Sequence, residues 1–238
     1  MVAGGEPELA LLLELFPRGL EEVDGGFAVY TDEAGERALR ERFDATSDPV
    51  AEGWEERWRE FHHGVVVGRF WVGPPWEEPP AGIETIVIDP GRAFGTGAHP
   101  TTRMTLELLQ EIAPTSLLDV GCGSGVLAIA AAKLGFTPVV GIDTDEAAIE
   151  ATLANAGVNG VELAALPGDA LVDDLPTAGV AVANVALDVV ERLLPRVPAA
   201  VVVASGYPER DEPRAEGWRR IDRRTAGGWA ADLFARSV

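Results

Sequence analysis

Residues 117–132 read Leu117-Leu-Asp-Val-Gly-Cys-Gly-Ser-Gly-Val-Leu-Ala-Ile-Ala-Ala-Ala132. An apolar strand enters a turn with glycine at every second position, and a run of helix formers follows. Such a turn lets the backbone approach a ligand without Cβ obstruction and points N–H groups toward it. The spacing Gly121-x-Gly123-x-Gly125 is tighter than the GxGxxG of dinucleotide enzymes, and Asp119 lies two residues before the first glycine.

Apolar strand candidates alternate with helical patterns on both sides of this unit. Ile83–Ile88 precedes it, with a helix from about Thr102 to Ile112. After it come strands at Val139–Ile142, Val161–Ala165, Val180–Val185 and Ala199–Ala204, with helices over Asp145–Ala156 and Leu187–Leu194. Continuous apolar strands separated by amphipathic helices predict an α/β fold with a doubly wound, mostly parallel sheet covered on both faces. Candidate strands at Trp218–Arg223 and Trp229–Phe234 suit an antiparallel hairpin at its edge. Upstream, four prolines between Gly73 and Gly82 forbid a helix and predict an extended linker over residues 74–82. Residues 1–73 then form a small α+β module and residues 83–238 the larger domain. The module has a hairpin or bulged strand around Gly25-Gly26, a helix from Asp32 to about Phe43, a helical stripe of Trp54, Trp58 and Phe61, and a strand over Gly64–Val72.

Polar residues close several strands of the larger domain. Asp143 ends Val140-Gly-Ile-Asp143, where a carboxylate can accept both hydroxyls of a ribose; it could instead cap the following helix. Asp169, in Pro167-Gly-Asp169-Ala170, follows the third strand, and Asn184 closes Val182-Ala-Asn184 or merely forms a turn. Open α/β sheets bind ligands at these carboxyl ends.

Together these motifs resemble those of class I S-adenosylmethionine-dependent methyltransferases. Ile88-Asp-Pro-Gly-Arg-Ala-Phe-Gly-Thr-Gly-Ala-His-Pro-Thr-Thr102 is more specific and resembles a segment of the bacterial PrmA-type enzymes, which methylate amino groups of a large-subunit ribosomal protein. The resemblance implies a seven-stranded Rossmann-like methyltransferase sheet behind an N-terminal substrate-recognition module. It also implies S-adenosyl-L-methionine as cofactor, held by Phe94, Thr96, Thr102, Gly121, Gly123, Asp143 and Asn184, with Asn184 beside the transferred methyl group as the catalytic residue. The expected substrate is a basic ribosomal protein, methylated on lysine side chains or its N-terminal amine. The same enzyme type acting on another protein or a small amine, a nicotinamide dehydrogenase and a non-catalytic cofactor-binding module remain alternatives. His99 reads as a residue that fixes its loop, and Arg219-Arg220 and Arg223-Arg224 as a solvated face near an edge strand. Ser205-Gly206 is followed by Tyr207-Pro208, a departure from the aliphatic continuation usual in the family.

Composition bounds the rest. The chain has 238 residues, with 19 Lys plus Arg against 39 Asp plus Glu, a formal net charge of −20. A field this negative repels phosphate backbones, so direct nucleic-acid binding is not expected. Residues 1–80 hold 18 of the acids against 7 bases, which makes the first third about twice as densely acidic as the remainder. There is no apolar run of membrane-spanning length and a single cysteine, Cys122, which fit a cytoplasmic protein without metal or disulfide, with a monomer favoured.

Overall fold

The computed structural model describes residues 20–23, 26–29, 33–43, 45–46, 63–89 and 97–237. The chain divides into two compact units, Met1–Trp58 and Arg59–Val238. In the first, β1 (Leu20–Val23) and β2 (Gly26–Val29) pair antiparallel as the expected hairpin, and α1 spans Glu33–Arg42. The aromatic stripe Trp54, Trp58 and Phe61 lies outside the described residues.

The larger unit opens with a three-stranded sheet. The strand expected over Gly64–Val72 is a hairpin of β3 (Val65–Val67) and β4 (Phe70–Gly73), turned at Gly68 with φ +58°. The next strand, β5 (Glu84–Val87), pairs parallel with β4 and takes no part in the large sheet. The proline-rich stretch 74–82 is therefore the connection between two strands of one sheet, and it falls inside the larger unit. Asn159 completes the edge of β5 as a further strand would: its Oδ1 accepts from Val87 N at 2.9 Å and its Nδ2 donates to Val87 O at 2.7 Å.

Helix α2 (Pro100–Leu109) leads into the seven-stranded sheet, built from β6 (Leu117–Val120), β7 (Val139–Asp143), β8 (Ala164–Pro167), β9 (Val180–Asn184), β10 (Val201–Pro208), β11 (Trp218–Ala226) and β12 (Trp229–Arg236). Its order is β11-β12-β10-β9-β6-β7-β8. The five strands from β10 to β8 are parallel, and β11 and β12 form the antiparallel edge hairpin. Helices α3 (Val126–Leu134), α4 (Glu146–Asn159) and α5 (Leu187–Leu193) supply three of the four crossovers between the parallel strands, the link from β8 to β9 being non-helical.

Two apolar cores flank the sheet. One joins Phe70, Ile86, Leu106, Ile129 and Val182; the other joins Leu118, Ala181, Leu193, Val202 and Phe234. Alternate residues along β9 and β10 serve opposite cores, as the two-residue period of a strand covered on both faces requires.

Three of the four arginines of β11 are tied into ion pairs rather than standing as a free solvated face. Arg223 Nη1 lies 3.2 Å from Oδ2 of fully buried Asp232, and Arg220 Nη1 lies 3.6 Å from its other oxygen. Arg224 reaches Glu107 and Glu111 on α2. Asp232 faces inward on β12, so its charge draws the guanidiniums of Arg220 and Arg223 onto the hairpin; an ionised carboxylate buried without a partner would cost several kcal/mol, on the order estimated for desolvated ions. Among the described residues, Arg219 is the one of the four that forms no ion pair, and it stands exposed.

Candidate functional site

The glycine turn connects β6 to α3 through Gly121, Gly123 and Gly125, with φ of +73°, +54° and +81°. All three lie in the left-handed region that residues with a Cβ rarely enter. A Cβ at Gly121 would sit 2.7 Å from Val185 Cγ1, and one at Gly125 would sit 3.0 Å from Thr152.

The turn's amides differ from the expectation of free N–H groups. Gly121 and Cys122 both donate to Ile142 O, at 2.8 and 3.1 Å, and Gly125 donates to Cys122 O at 2.8 Å. Gly123 N donates to Asp143 Oδ2 at 3.0 Å. With these four donors consumed, the turn is a poor nest for a pyrophosphate, which counts against a dinucleotide. It offers instead a Cβ-free backbone surface backed by a carboxylate, which suits the hydroxyls of a sugar-bearing ligand without phosphates.

Asp143 stands at the end of β7, and its other oxygen accepts from Asp145 N at 3.0 Å. The cap of α4 is Asp145, whose Oδ1 accepts from Ala147 N at 3.0 Å. Asp143 thus ties two strand-end loops together rather than capping the helix. A carboxylate oxygen can accept more than one hydrogen bond, so these backbone contacts do not by themselves bar vicinal hydroxyls.

Asp119 faces the other way. It is 1% exposed, and its Oδ2 accepts from Ala128 N at 3.1 Å while Oδ1 has no hydrogen-bond partner among the described residues. Burial pushes its pKa up to about 7, against the opposing pull of the Ala128 amide and with a further upward push from Asp143. The folded state therefore holds this proton more tightly than the unfolded chain does. The resulting stabilisation is present below pH 4 and is lost as pH rises from about 4 through 7. Asp119→Asn, which cannot ionise, should gain on the native protein by about 2 kcal/mol between pH 5 and pH 7. Urea unfolding of both proteins at the two pH values measures this, and a pH-independent difference would contradict the burial of a titrating carboxyl.

Asn184 closes β9 beside this turn. Its Nδ2 donates to Thr102 Oγ1 at 3.3 Å, joining residues 82 positions apart. Thr102 is fully buried in the first turn of α2. That turn is fixed by His99, whose Nδ1 accepts from Thr101 N at 3.4 Å and whose ring meets Trp229 edge-on with centroids 5.0 Å apart. Burial lowers the His99 pKa, keeping the ring in the neutral form that can accept. Asp169, at the end of β8, accepts from Leu171 N at 2.8 Å through Oδ1. Phe94 and Thr96 lie outside the described residues. Cys122 is buried with its thiol pushed up to about 12 by desolvation, so it supplies no thiolate.

Thr102, Gly121, Gly123, Asp143 and Asn184 therefore stand at one end of the sheet, around the carboxyl ends of β6, β7 and β9. Two further residues hold them there. Thr152 Oγ1 donates to Gly123 O at 3.0 Å, and Asn155 Nδ2 donates to Ser124 O at 2.9 Å while its Oδ1 accepts from Asp89 N at 3.2 Å. The signal for them was in the sequence: Thr152, Asn155 and Asn159 recur at i, i+3 and i+7, a polar stripe on the face of α4 that the helix buries.

Comparison with known proteins agrees with this architecture. The family model described as ribosomal protein L11 methyltransferase (PrmA) matches residues 28–207. A ribosomal protein L11 methyltransferase of Caldanaerobacter subterraneus subsp. tengcongensis is 37% identical over 206 residues, which cover 80% of this chain and 67% of that protein. One of Shewanella sediminis is 50% identical over 113 residues, 46% of this chain and 39% of its own length. The crystal structure of the ribosomal protein L11 methylase from Lactobacillus delbrueckii subsp. bulgaricus superposes with a TM-score of 0.66 at 29% identity, covering 74% of this chain and 100% of that one. A tRNA (uracil-54, C5)-methyltransferase from Pyrococcus abyssi, in complex with S-adenosyl-L-homocysteine, shares the fold alone, with a TM-score of 0.51 at 20% identity, covering 63% of this chain and 41% of that one. The match to the Shewanella protein spans well under half of that relative. With a family model covering most of its length, the chain belongs to the ribosomal protein L11 methyltransferase (PrmA) family.

Proposed function

We propose that the protein is an S-adenosylmethionine-dependent N-methyltransferase that modifies amino groups of ribosomal protein L11. The observation that carries the reading is the cradle in which Asp143 holds Gly123 N while Asn184 holds Thr102, at the ends of the two strands that flank β6, in a chain of this family. Asp143 would accept the ribose hydroxyls, the bare backbone at Gly121 and Gly123 would pack against the cofactor, and Thr102 and Asn184 would line its reactive end. Phe94 and Thr96 are proposed to complete the pocket.

When bound, the cofactor supplies an electrophilic methyl group on a sulfonium centre. The chain's own work is positioning and the exclusion of water. Asn184 donates through Nδ2 to Thr102, which leaves its carbonyl oxygen to accept an N–H of the incoming amine and aim the nitrogen lone pair. An amide is no base at neutral pH. Lysine, with an unperturbed pKa of about 10.4, is therefore taken to lose its proton to solvent before it enters.

The dense acidity of residues 1–80 supports a basic protein partner, docked by the module assigned to residues 1–73. The net charge of −20 supports an enzyme that acts on the protein itself and makes no nucleic-acid contact. No helix among the described residues is long and apolar enough to cross a membrane. A monomeric cytoplasmic enzyme is the proposed form.

The test is transfer of label from methyl-labelled S-adenosylmethionine to the ribosomal proteins of the source organism, resolved by gel. A labelled L11 band that weakens as salt rises is the expected outcome. Label confined to another protein would move the acceptor assignment, leaving the cofactor site in place.

A further inference from the structure

We infer that Gly206 is a positioning residue for the acceptor amine, because the space it leaves empty sets where Asn184 and Val185 stand. The inference rests on the reading of Asn184 as the residue that orients the amine. Strands β9 and β10 run parallel with Asn184 opposite Ser205, and Val185 N donates to Ser205 O at 2.9 Å. Immediately after, β10 bulges: Ser205 pairs with Ala231 and Tyr207 with Ala230, and Gly206 between them takes φ +103°.

A Cβ built on Gly206 would lie 2.3 Å from the Val185 carbonyl oxygen, 2.7 Å from its carbon and 2.8 Å from its nitrogen. All three are backbone atoms, so no rotamer change relieves the contact. Either Val185 moves, carrying Asn184 with it, or the bulge moves. The bulge is the better anchored of the two. Ser205 is fully buried, and its Oγ donates to Ala230 O at 2.7 Å. Fully buried Tyr207 donates its hydroxyl proton to Asp232 Oδ2 at 2.8 Å, and Arg223 clamps the same oxygen.

Val185 is confined from its other side as well. Its Cγ1 lies 2.7 Å from the Cβ position of Gly121. It is thus wedged between two glycines, one on the cofactor turn and one on the bulge, and the distance from Asn184 to the cofactor turn is fixed by the absence of both side chains. The Tyr207 that departs from the family's aliphatic continuation is part of the anchor.

The experiment compares Gly206→Ala and the milder Ser205→Ala with the native protein in steady-state transfer to L11, in calorimetric titration with S-adenosylmethionine, and in thermal melting. For Gly206→Ala, kcat should fall by about 30-fold or more while the cofactor Kd stays within about threefold, since an ångström of misplacement costs on the order of a hundredfold in rate. Ser205→Ala should show the same split at several-fold, and it decides the matter if Gly206→Ala does not fold. Unchanged kcat in a folded variant that binds cofactor overturns the inference. So does a parallel loss of kcat, cofactor binding and melting temperature, the signature of a merely structural role. If the native protein transfers no methyl group, the methyltransferase reading itself falls and the inference with it; a native protein that transfers while the variants match it refutes the inference alone.

Discussion

Replacing Asp143 with alanine should weaken S-adenosylmethionine binding by about a hundredfold, through two losses that the site couples. The first is the charged acceptor proposed for the ribose hydroxyls; hydrogen bonds to a charged group contribute about 1.5–3 kcal/mol each, and about 1.4 kcal/mol is a factor of ten. The second is the cradle itself, because Asp143 Oδ2 holds Gly123 N and Oδ1 holds Asp145 N. Asp143→Asn separates them. Its carbonyl oxygen can keep one of the backbone contacts, while its NH₂ group presents donors where the ligand also presents donors. Asparagine should therefore recover part of the melting temperature lost by alanine and little of the affinity. Calorimetric titration with the cofactor and a thermal melt of each variant give both quantities. An Asp143→Ala protein that binds as tightly as the native one would remove the ribose from this strand end.

Replacing Asn184 with alanine should act on the other parameter. The loss expected is on the order of a hundredfold in kcat, because the acceptor nitrogen is no longer aimed, with a smaller effect on cofactor affinity than Asp143→Ala has. Thr102→Val, which keeps the shape and removes the hydroxyl that holds Nδ2 at 3.3 Å, should lower kcat in the same direction by less. The pH profile discriminates further. If solvent takes the lysine proton, the single-turnover rate climbs with pH toward the amine's own pKa in native and variant proteins alike, so the two profiles run parallel. A break near neutrality that disappears in one variant would reveal a base, and the solvent-deprotonation account would be wrong. Asp119, with a pKa of about 7, is the group such a break would suggest, but its carboxyl lies 1% exposed behind the turn and holds the first turn of α3.

Much of this was legible in the sequence because its determinants are local. Leu117–Val120 followed by alternating glycines fixes a strand, a left-handed turn and a helix within a span of 20 residues, and strand ends carrying Asp143 and Asn184 follow from the βα alternation. What was not legible depends on distant partners. The run Ile83–Ile88 reads like any strand of the main sheet, yet its strand β5 pairs with β4, and its edge is satisfied by Asn159, 72 residues on from Val87. Arg220 and Arg223 of β11 read as surface because the carboxylate that recruits them, Asp232, lies across the hairpin on a residue indistinguishable in sequence from an exposed one. Nor does the glycine spacing say where the turn's N–H groups go. Their capture by Ile142 O, Cys122 O and Asp143 is a matter of how β7 sits beside β6, and it is what sets this cradle apart from a phosphate nest.

Gly206 belongs to the same class. A Ser-Gly pair in a strand suggests a bulge, but only the parallel register of β9 against β10 places the Val185 carbonyl against it.

The central claim is that Asn184 and the cradle around Asp143 carry methyl groups from S-adenosylmethionine to amines of ribosomal protein L11. It is tested most directly by incubating the purified protein with the cofactor and unmodified L11 from its own source, then sequencing the L11 peptides by mass spectrometry. The account predicts methylated lysine side chains or a methylated N-terminal amine on L11 with the native protein, and almost none with Asn184→Ala. Unmodified L11 after exhaustive incubation with a protein that binds the cofactor would contradict it.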